Sequence, residues 1–551
     1  MHTNNEPAQQ FWWQKAVIYQ IYPRSFQDAN GDGVGDLKGI IRRLDYLSHT
    51  LGVDAIWLSP FYVSPMADFG YDVADYTDVD PVFGTLSDFD ELLASAHQRA
   101  LKVIIDYVPN HTSERHPWFM ESKSSQDNPK RDWYIWADPK PDGSPPNNWL
   151  SIFGGPAWEW DAGTQQYYLH SFLKEQPDLN WRNPEVKKAM FDVLRFWLDR
   201  GVDGFRIDVA HFIMKDPLLR DNPLNTKPER SLHKPFGEYE TQIHLYDQNH
   251  ADVHQIYREM RQLLDSYNHD QPRFSIGEIH IYDWQKWVEF YGRQLDELHM
   301  PFNFQLLKAD WQAGSIRQSV DALEKILPAG AWPNYVLGNH DEPRLASRID
   351  PETCRLAAML LLTLRGTPTL YYGDEIGMTG MPIPSEEQQD PLAKSLPGLG
   401  RDPCRTPMQW DDGPHAGFAP QSAAATCFPL APDFREKNVK KQLKDPRSLL
   451  NLYRRLLAYR KNSPVLLKGK YLPWDEVPPE CFAYLRYLPD QAPLLMLLNF
   501  SSQPKGIAHP EIVGGHLLLS THLDREGQID SQRLELRPHE GLMIALPKRF
   551  S

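Results

Sequence analysis

Three acidic residues each close an apolar run: Asp208 after Gly204-Phe205-Arg206-Ile207, Glu278 after Phe274-Ser275-Ile276-Gly277, and Asp341 after Leu337-Gly338-Asn339-His340. A fourth run, Val103-Ile104-Ile105, ends in Asp106 and continues to Asn110 and His111. Carboxylates are seldom buried without partners, so acids at strand ends draw the eye to a polar site. Residues two apart on a strand share a face, which puts Arg206 beside Asp208. A guanidinium there lowers the carboxyl pKa and keeps it ionised, as a nucleophile requires. Glu278, with the small Gly277 beside it, suits a general acid whose pKa is raised by neighbouring negative charge and partial burial. Taken singly, each motif also reads as a structural ion pair or turn. Together, paired carboxylates and an arginine point to glycoside hydrolysis.

Such residues must be positioned by strands that end together. Apolar runs at 17–22, 53–59, 102–106, 202–208, 274–278, 299–304, 335–339 and 366–372 alternate with helical patterns such as Ser87–Ala100 and Pro184–Arg200. This alternation predicts a closed parallel (β/α)8 TIM barrel, with an open doubly wound sheet as runner-up. No Gly-rich phosphate loop follows the first strand, which counts against the runner-up. The segment 107–175, rich in Trp, Pro, Asn and Gly, is too long for a bare loop and predicts a small inserted domain after strand three. It divides the barrel into 1–106 and 176–470. From 471 to 551, short apolar runs alternate with turn residues, which predicts a C-terminal antiparallel β-sandwich.

A separate run, Asp28-Ala29-Asn30-Gly31-Asp32-Gly33-Val34-Gly35-Asp36, places oxygen-bearing side chains at alternate positions with glycines between. That pattern suits a calcium loop, with Asp28, Asn30, Asp32, Asp36 and the Val34 carbonyl as ligands. No acid stands at 40 or 41, so it is not a full EF-hand, and a self-hydrogen-bonded Asx-rich turn is the alternative reading. The metal would be structural: Ca2+, or Mg2+ in its place. His111 and His340 could suggest zinc, but no H-E-x-x-H helix or Cys cluster supports it. No organic cofactor is expected.

The net charge of -15 excludes a nucleic-acid partner, which requires a basic face. An aromatic share of 12%, with 17 Trp, leans toward sugars that stack on rings. Four cysteines (Cys354, Cys404, Cys427, Cys481) have neither metal spacing nor a disulfide framework. The N-terminus lacks a secretory pattern and no run is long enough to span a membrane, so the expectation is a cytoplasmic protein without a membrane partner.

Asp106-Tyr107-Val108-Pro109-Asn110-His111, Gly204–Asp208, Glu278 and Asn339-His340-Asp341, in that order, resemble the four defining regions of glycoside hydrolase family 13, the α-amylase superfamily. Gln176-Pro177-Asp178-Leu179-Asn180 and the run Arg401–Trp410 resemble its oligo-1,6-glucosidase branch. Asp68-Phe69-Gly70-Tyr71-Asp72 and Leu337–Arg348 look most like bacterial α-glucosidases. The resemblance covers essentially the whole chain.

What it implies fits the chemistry above. Asp208 would be the nucleophile, Glu278 the general acid/base, and Asp341 the stabiliser that holds the 2- and 3-hydroxyls of a distorted ring. His111, Arg206 and His340 would bind the first glucose, Tyr71 would be its stacking platform, and Phe153 and Phe172 would be walls. Asp68 and an arginine, Arg401 in preference to Arg405, would close the pocket at the sugar's non-reducing end. The expected activity is retaining, exo-acting α-glucosidase on di- and oligosaccharides. Transglucosylation and sucrose or oligo-1,6-glucosidase activity are the alternatives, and Val209 after the nucleophile often accompanies tolerance of α-1,6 bonds in this branch. The Arg-Leu-Asp-Arg-Asp motif of sucrose isomerases is absent, and a non-catalytic relative would have lost its carboxylates.

Overall fold

The computed structural model describes residues 11–226, 236–267 and 271–548. Eight parallel strands follow one another through the chain: β1 (Ile18–Ile21), β2 (Ala55–Leu58), β3 (Lys102–Tyr107), β4 (Gly204–Ile207), β5 (Phe274–Gly277), β6 (Met300–Pro301), β7 (Asn334–Val336) and β8 (Thr367–Tyr371). The ladder order is β6-β5-β4-β3-β2-β1-β8-β7, and the parallel sheet curls into the barrel that the alternation predicts. These strands are buried almost throughout, because helices cover one face and the barrel interior the other.

The interior is layered. Ile18, Ala55, Trp57, Ile104, Phe274, Ile276 and Val336 fill it with apolar side chains. Above them the inward positions turn polar, through Gln20, Asp106 and Arg206. β4 can lie tight against β5 because residue 204 is glycine: a Cβ there would stand 2.8 Å from the Phe274 carbonyl oxygen.

The outer helices start where local chemistry favours it. Leu86–Gln98 opens with a Thr85–Asp88 capping box, and Pro184–Asp199 with an Asn183 cap and proline in the first turn. Two strand expectations are corrected. The run 299–304 contributes only the two residues of β6, and 335–339 stops at Val336. Leu337 to Asp341 forms a turn, in which the Asn339 side chain accepts from the amides of Asp341 and Glu342, each at 3.0 Å.

Between β3 and β4 lies a three-stranded antiparallel sheet, Trp136–Ala137, Gln166–Leu169 and Trp158–Asp161. The C-terminal part is a six-stranded antiparallel sheet backed by the ribbon Lys505–Ala508 with Arg533–Leu536. Its inner faces enclose a separate apolar core that includes Trp474, Leu495, Ile507, Leu536 and Ile544. Among the described residues no helix is long and apolar enough to cross a membrane.

Candidate active site

The ladders of β3, β4 and β5 bring their inward side chains level: Arg206 lies opposite Asp106 on one side and Ile276 on the other. Two residues further along the same faces stand Asp208 and Glu278. The buried Arg206 guanidinium is the hub. Its Nη1 donates to Asp208 Oδ1 at 2.8 Å and to Asp106 Oδ1 at 3.1 Å, while Nη2 donates to Glu278 Oε2 at 2.6 Å. A rigid planar fork can serve several carboxylates without losing its own charge.

Three carboxylates around one cation leave surplus negative charge, and protons take it up. Burial pushes Asp208 well above the usual carboxylate range; Arg206 pulls it down, but Glu278 and Asp106 add repulsion. Asp106 is raised to about 6, again chiefly by burial. Glu278 moves the other way: burial is outweighed by Arg206 and by His280, whose Nε2 lies 2.8 Å from Glu278 Oε1. Both pKa expectations are thereby corrected for the free site. Arg206 does not by itself keep Asp208 ionised, and Glu278 is lowered rather than raised. The two carboxyls titrate as a pair through one guanidinium, and Glu278, which also receives the Val209 N–H at 3.1 Å, holds the charge. Val209 aims that N–H from a left-handed conformation, φ +35°, which a β-branched residue adopts only under constraint.

Asp341 enters from the turn after β7. Arg405 Nη2 donates to its Oδ1 at 3.0 Å and Arg401 Nη1 at 3.3 Å, and His340 Nε2 lies 3.2 Å from Oδ2. Burial alone would raise this carboxyl; His340, Arg401 and Arg405 together hold it far below the usual range. The Tyr71 hydroxyl donates to Asp106 Oδ2 at 2.9 Å and so accepts from His340 Nε2 at 2.7 Å. His340 Nδ1 then accepts from Gln20 at 2.7 Å. Burial drives His340 down to about 3 and His111 to about 4, so both rings are neutral donors and acceptors.

Asp68, Tyr71, His111, Phe153, Phe172, Asp208, Glu278, Asp341 and Arg401 line one cavity of about 370 Å³. Arg401 stands on its wall, where Nη2 donates to Asp68 Oδ1 at 2.5 Å and to Asp390 Oδ1 at 2.7 Å. Arg405 instead spans the His340 carbonyl oxygen, at 2.8 Å, and Asp341. The Tyr71 ring lies parallel to His340, centroids 5.4 Å apart, and Phe153 and Phe172 pack with Val209 and Phe212 in an apolar wall.

Sequence reasoning gave no site role to Asp106, His280, Asp390, or the wall formed by Phe236, Tyr239, Gln242 and His244. His280 stands two residues after Glu278, and strand alternation could have found it. Asp390 carries no local signal, since it gains meaning only through Arg401.

The loop 28–36 is separate from this cavity. Asp28 accepts the amides of Gly31 and Gly33 at 2.6 and 2.9 Å, and Asp36 those of Ala29 and Gly39 at 2.9 and 2.6 Å. Asn30 and Asp32 bond each other, and the Val34 amide donates to Asp32 at 2.8 Å. The donor types suit a hard cation, yet in this arrangement they satisfy one another. Among the described residues no three His, Cys, Asp or Glu side chains gather as a metal cage.

The model of the α-amylase catalytic domain matches residues 20–469. The chain belongs to the α-amylase family. Within it, the chain is 44% identical to a probable α-glucosidase of Rhizobium meliloti (strain 1021), over 94% of this chain and 95% of that one. An oligo-1,6-glucosidase of Parageobacillus thermoglucosidasius is 38% identical, over 97% and 99%. Among solved structures, an α-glucosyl transfer enzyme superposes with a TM-score of 0.91 at 43% identity, covering 98% of this chain and all of that one. The isomaltulose synthase of Protaminobacter rubrum gives 0.87 at 35% identity, again over 98% of this chain and all of that one. Family and relatives together make this α-amylase-family member a glycoside hydrolase acting on α-glucosides.

Proposed function

We propose that the protein is a retaining, exo-acting α-glucosidase that removes single glucose units from the non-reducing ends of short α-glucosides. The observation that carries this reading is the Arg401–Asp68 bridge closing the cavity behind Asp208, Glu278 and Asp341. A site shut at one end admits a chain terminus and nothing beyond it. One guanidinium spans Asp208 and Glu278, which suits the separation of about 5 Å of a retaining pair better than the wider gap that an inverting pair needs for water.

In the first step Asp208 attacks the anomeric carbon while Glu278 protonates the departing oxygen. In the second, Glu278 takes a proton from water as that water displaces Asp208, and two inversions retain the α configuration. The reactive form carries the shared proton on Glu278, whereas in the free site Asp208 is the raised group. Once Asp208 is esterified its charge is gone, and Arg206 and His280 favour the ionised Glu278 that must act as base. Asp341, held ionised, grips the sugar hydroxyls of the distorted ring. Tyr71 supplies the stacking face and His111, a neutral ring on the cavity wall, bonds a hydroxyl, while His340, outside the lining with both ring nitrogens engaged, orients Tyr71 and Asp341.

Initial rates on maltose, isomaltose, sucrose, trehalose and soluble starch test the pocket: disaccharides lead, and dominant activity on starch overturns the reading. A second reading, net glucosyl transfer, is favoured by the likeness to the α-glucosyl transfer enzyme. Product analysis at high maltose decides the balance. The loop 28–36 supports a further reading, a structural Ca2+ or Mg2+ on Asp28, Asn30, Asp32, Val34 and Asp36. Calcium then raises the melting temperature of chelator-treated protein by several degrees, and an unmoved transition removes the metal. Four free thiols suit a reducing cytoplasm.

A further inference from the structure

Glu278 has two carboxylate oxygens, and they are not equivalent. Oε2 is committed to the barrel, since it takes Arg206 Nη2 at 2.6 Å and the Val209 amide at 3.1 Å. Only Oε1 is left to exchange protons with a leaving group or a water, and His280 Nε2 stands 2.8 Å from it. His280 is no incidental neighbour. It lines the cavity, its ring lies flat on Phe304 with centroids 4.6 Å apart and planes 8° apart, and the Tyr282 hydroxyl is 3.3 Å from Nδ1. With the hydroxyl donating to Nδ1, Nε2 carries a proton and donates to Oε1. His211 also faces the ring, centroids 6.1 Å apart, and Glu342 and Lys308 form an ion pair on the cavity wall.

We infer that His280 is a positioning residue for proton transfer: it holds Oε1 of Glu278, the oxygen that serves the leaving group and the attacking water, in the ionised form. This rests on the reading of Glu278 as the acid/base. An N–H donated to the ionised carboxylate favours that form, so His280 makes Glu278 a stronger acid in the first step and keeps it ready as a base in the second. Phe304 keeps the imidazole plane aimed at Oε1.

The two substrates that separate this role from a packing role are maltose, whose sugar leaving group needs protonation, and α-glucosyl fluoride, whose fluoride needs little. His280→Ala is expected to lower kcat/KM on maltose by about tenfold or more while changing kcat/KM on the fluoride, which reports only the glycosylation step, by less than about threefold. It also moves the alkaline limb of the maltose profile to higher pH by about half a unit or more, because Glu278 loses a donor to its charged form. His280→Gln, which restores an N–H donor, recovers most of the limb position. Phe304→Leu shifts the limb in the same direction by less. Equal losses on both substrates, or an unmoved limb with intact folding, overturn the inference. Glu278→Gln is the control: if it too fails to discriminate between maltose and fluoride, the acid/base reading falls, whereas if it discriminates and His280→Ala does not, only this inference falls.

Discussion

His111 and His340 show how a residue's surroundings decide its chemistry. Burial disfavours the charged imidazole, so the two rings are held at about 4 and 3, below the usual value near 6.5. Both are therefore neutral at every pH above about 5 and change no charge in the working range. His111→Asn is expected to lower kcat/KM on maltose by about tenfold or more through lost hydroxyl contacts, and to leave the acid limb of the pH profile where it was. An acid limb that moves with the substitution would mean that His111 titrates during turnover. At this scale much was legible in sequence. Asp208, Glu278 and Arg206 lie on one side of the barrel because strand alternation puts them there. Their protonation was not legible, because it depends on Asp106 from β3 meeting the Arg206 guanidinium and on His280 beyond β5 meeting Glu278, which no single segment states.

Among the elements, β4 begins at a position with no room for a side chain. Its Gly204 faces the Phe274 backbone, where a Cβ would meet the carbonyl oxygen at 2.8 Å and the Phe274 Cβ at 2.9 Å. Gly204→Ala must push β4 from β5 and move Arg206 with it. A loss of about 1–3 kcal/mol in stability is expected, typical of overpacking, together with a fall in kcat because the guanidinium leaves its three carboxylates. Denaturant titration and kinetics check the two effects together; unchanged stability would show that β4 has slack. Strand existence was readable from the apolar runs, whereas strand ends were not. Leu337 looks like strand, but the Asn339 side chain offers Asp341 and Glu342 a local hydrogen-bond acceptor, and the ladder yields to a turn.

For the whole molecule, the insertion must sit firmly on the barrel, since it brings Phe153 and Phe172 to the cavity. One fastening is the buried Lys215, whose Nζ donates to Asn110 of the insertion at 2.5 Å and pairs at 2.6 Å with Asp178, just past the insertion's end. Asp178 in turn receives the Ser171 amide at 3.0 Å. Lys215→Met leaves that carboxylate buried and unpaired and should cost about 3–5 kcal/mol; a loss below about 1 kcal/mol in chemical denaturation would show that the insertion is held elsewhere. The barrel and the C-terminal β-structure could be anticipated from their periodicity, and the insertion from its length and composition. The cavity wall at Phe236–His244 could not, since its segment has no regular pattern and gains its place only by folding over the mouth. The central claim, that Asp208 attacks the sugar, is tested most directly by trapping. Incubation with 5-fluoro-α-glucosyl fluoride followed by peptide mass spectrometry should find one hexosyl adduct, on Asp208. An adduct on another residue, or turnover at the wild-type rate by Asp208→Ala, would contradict the account.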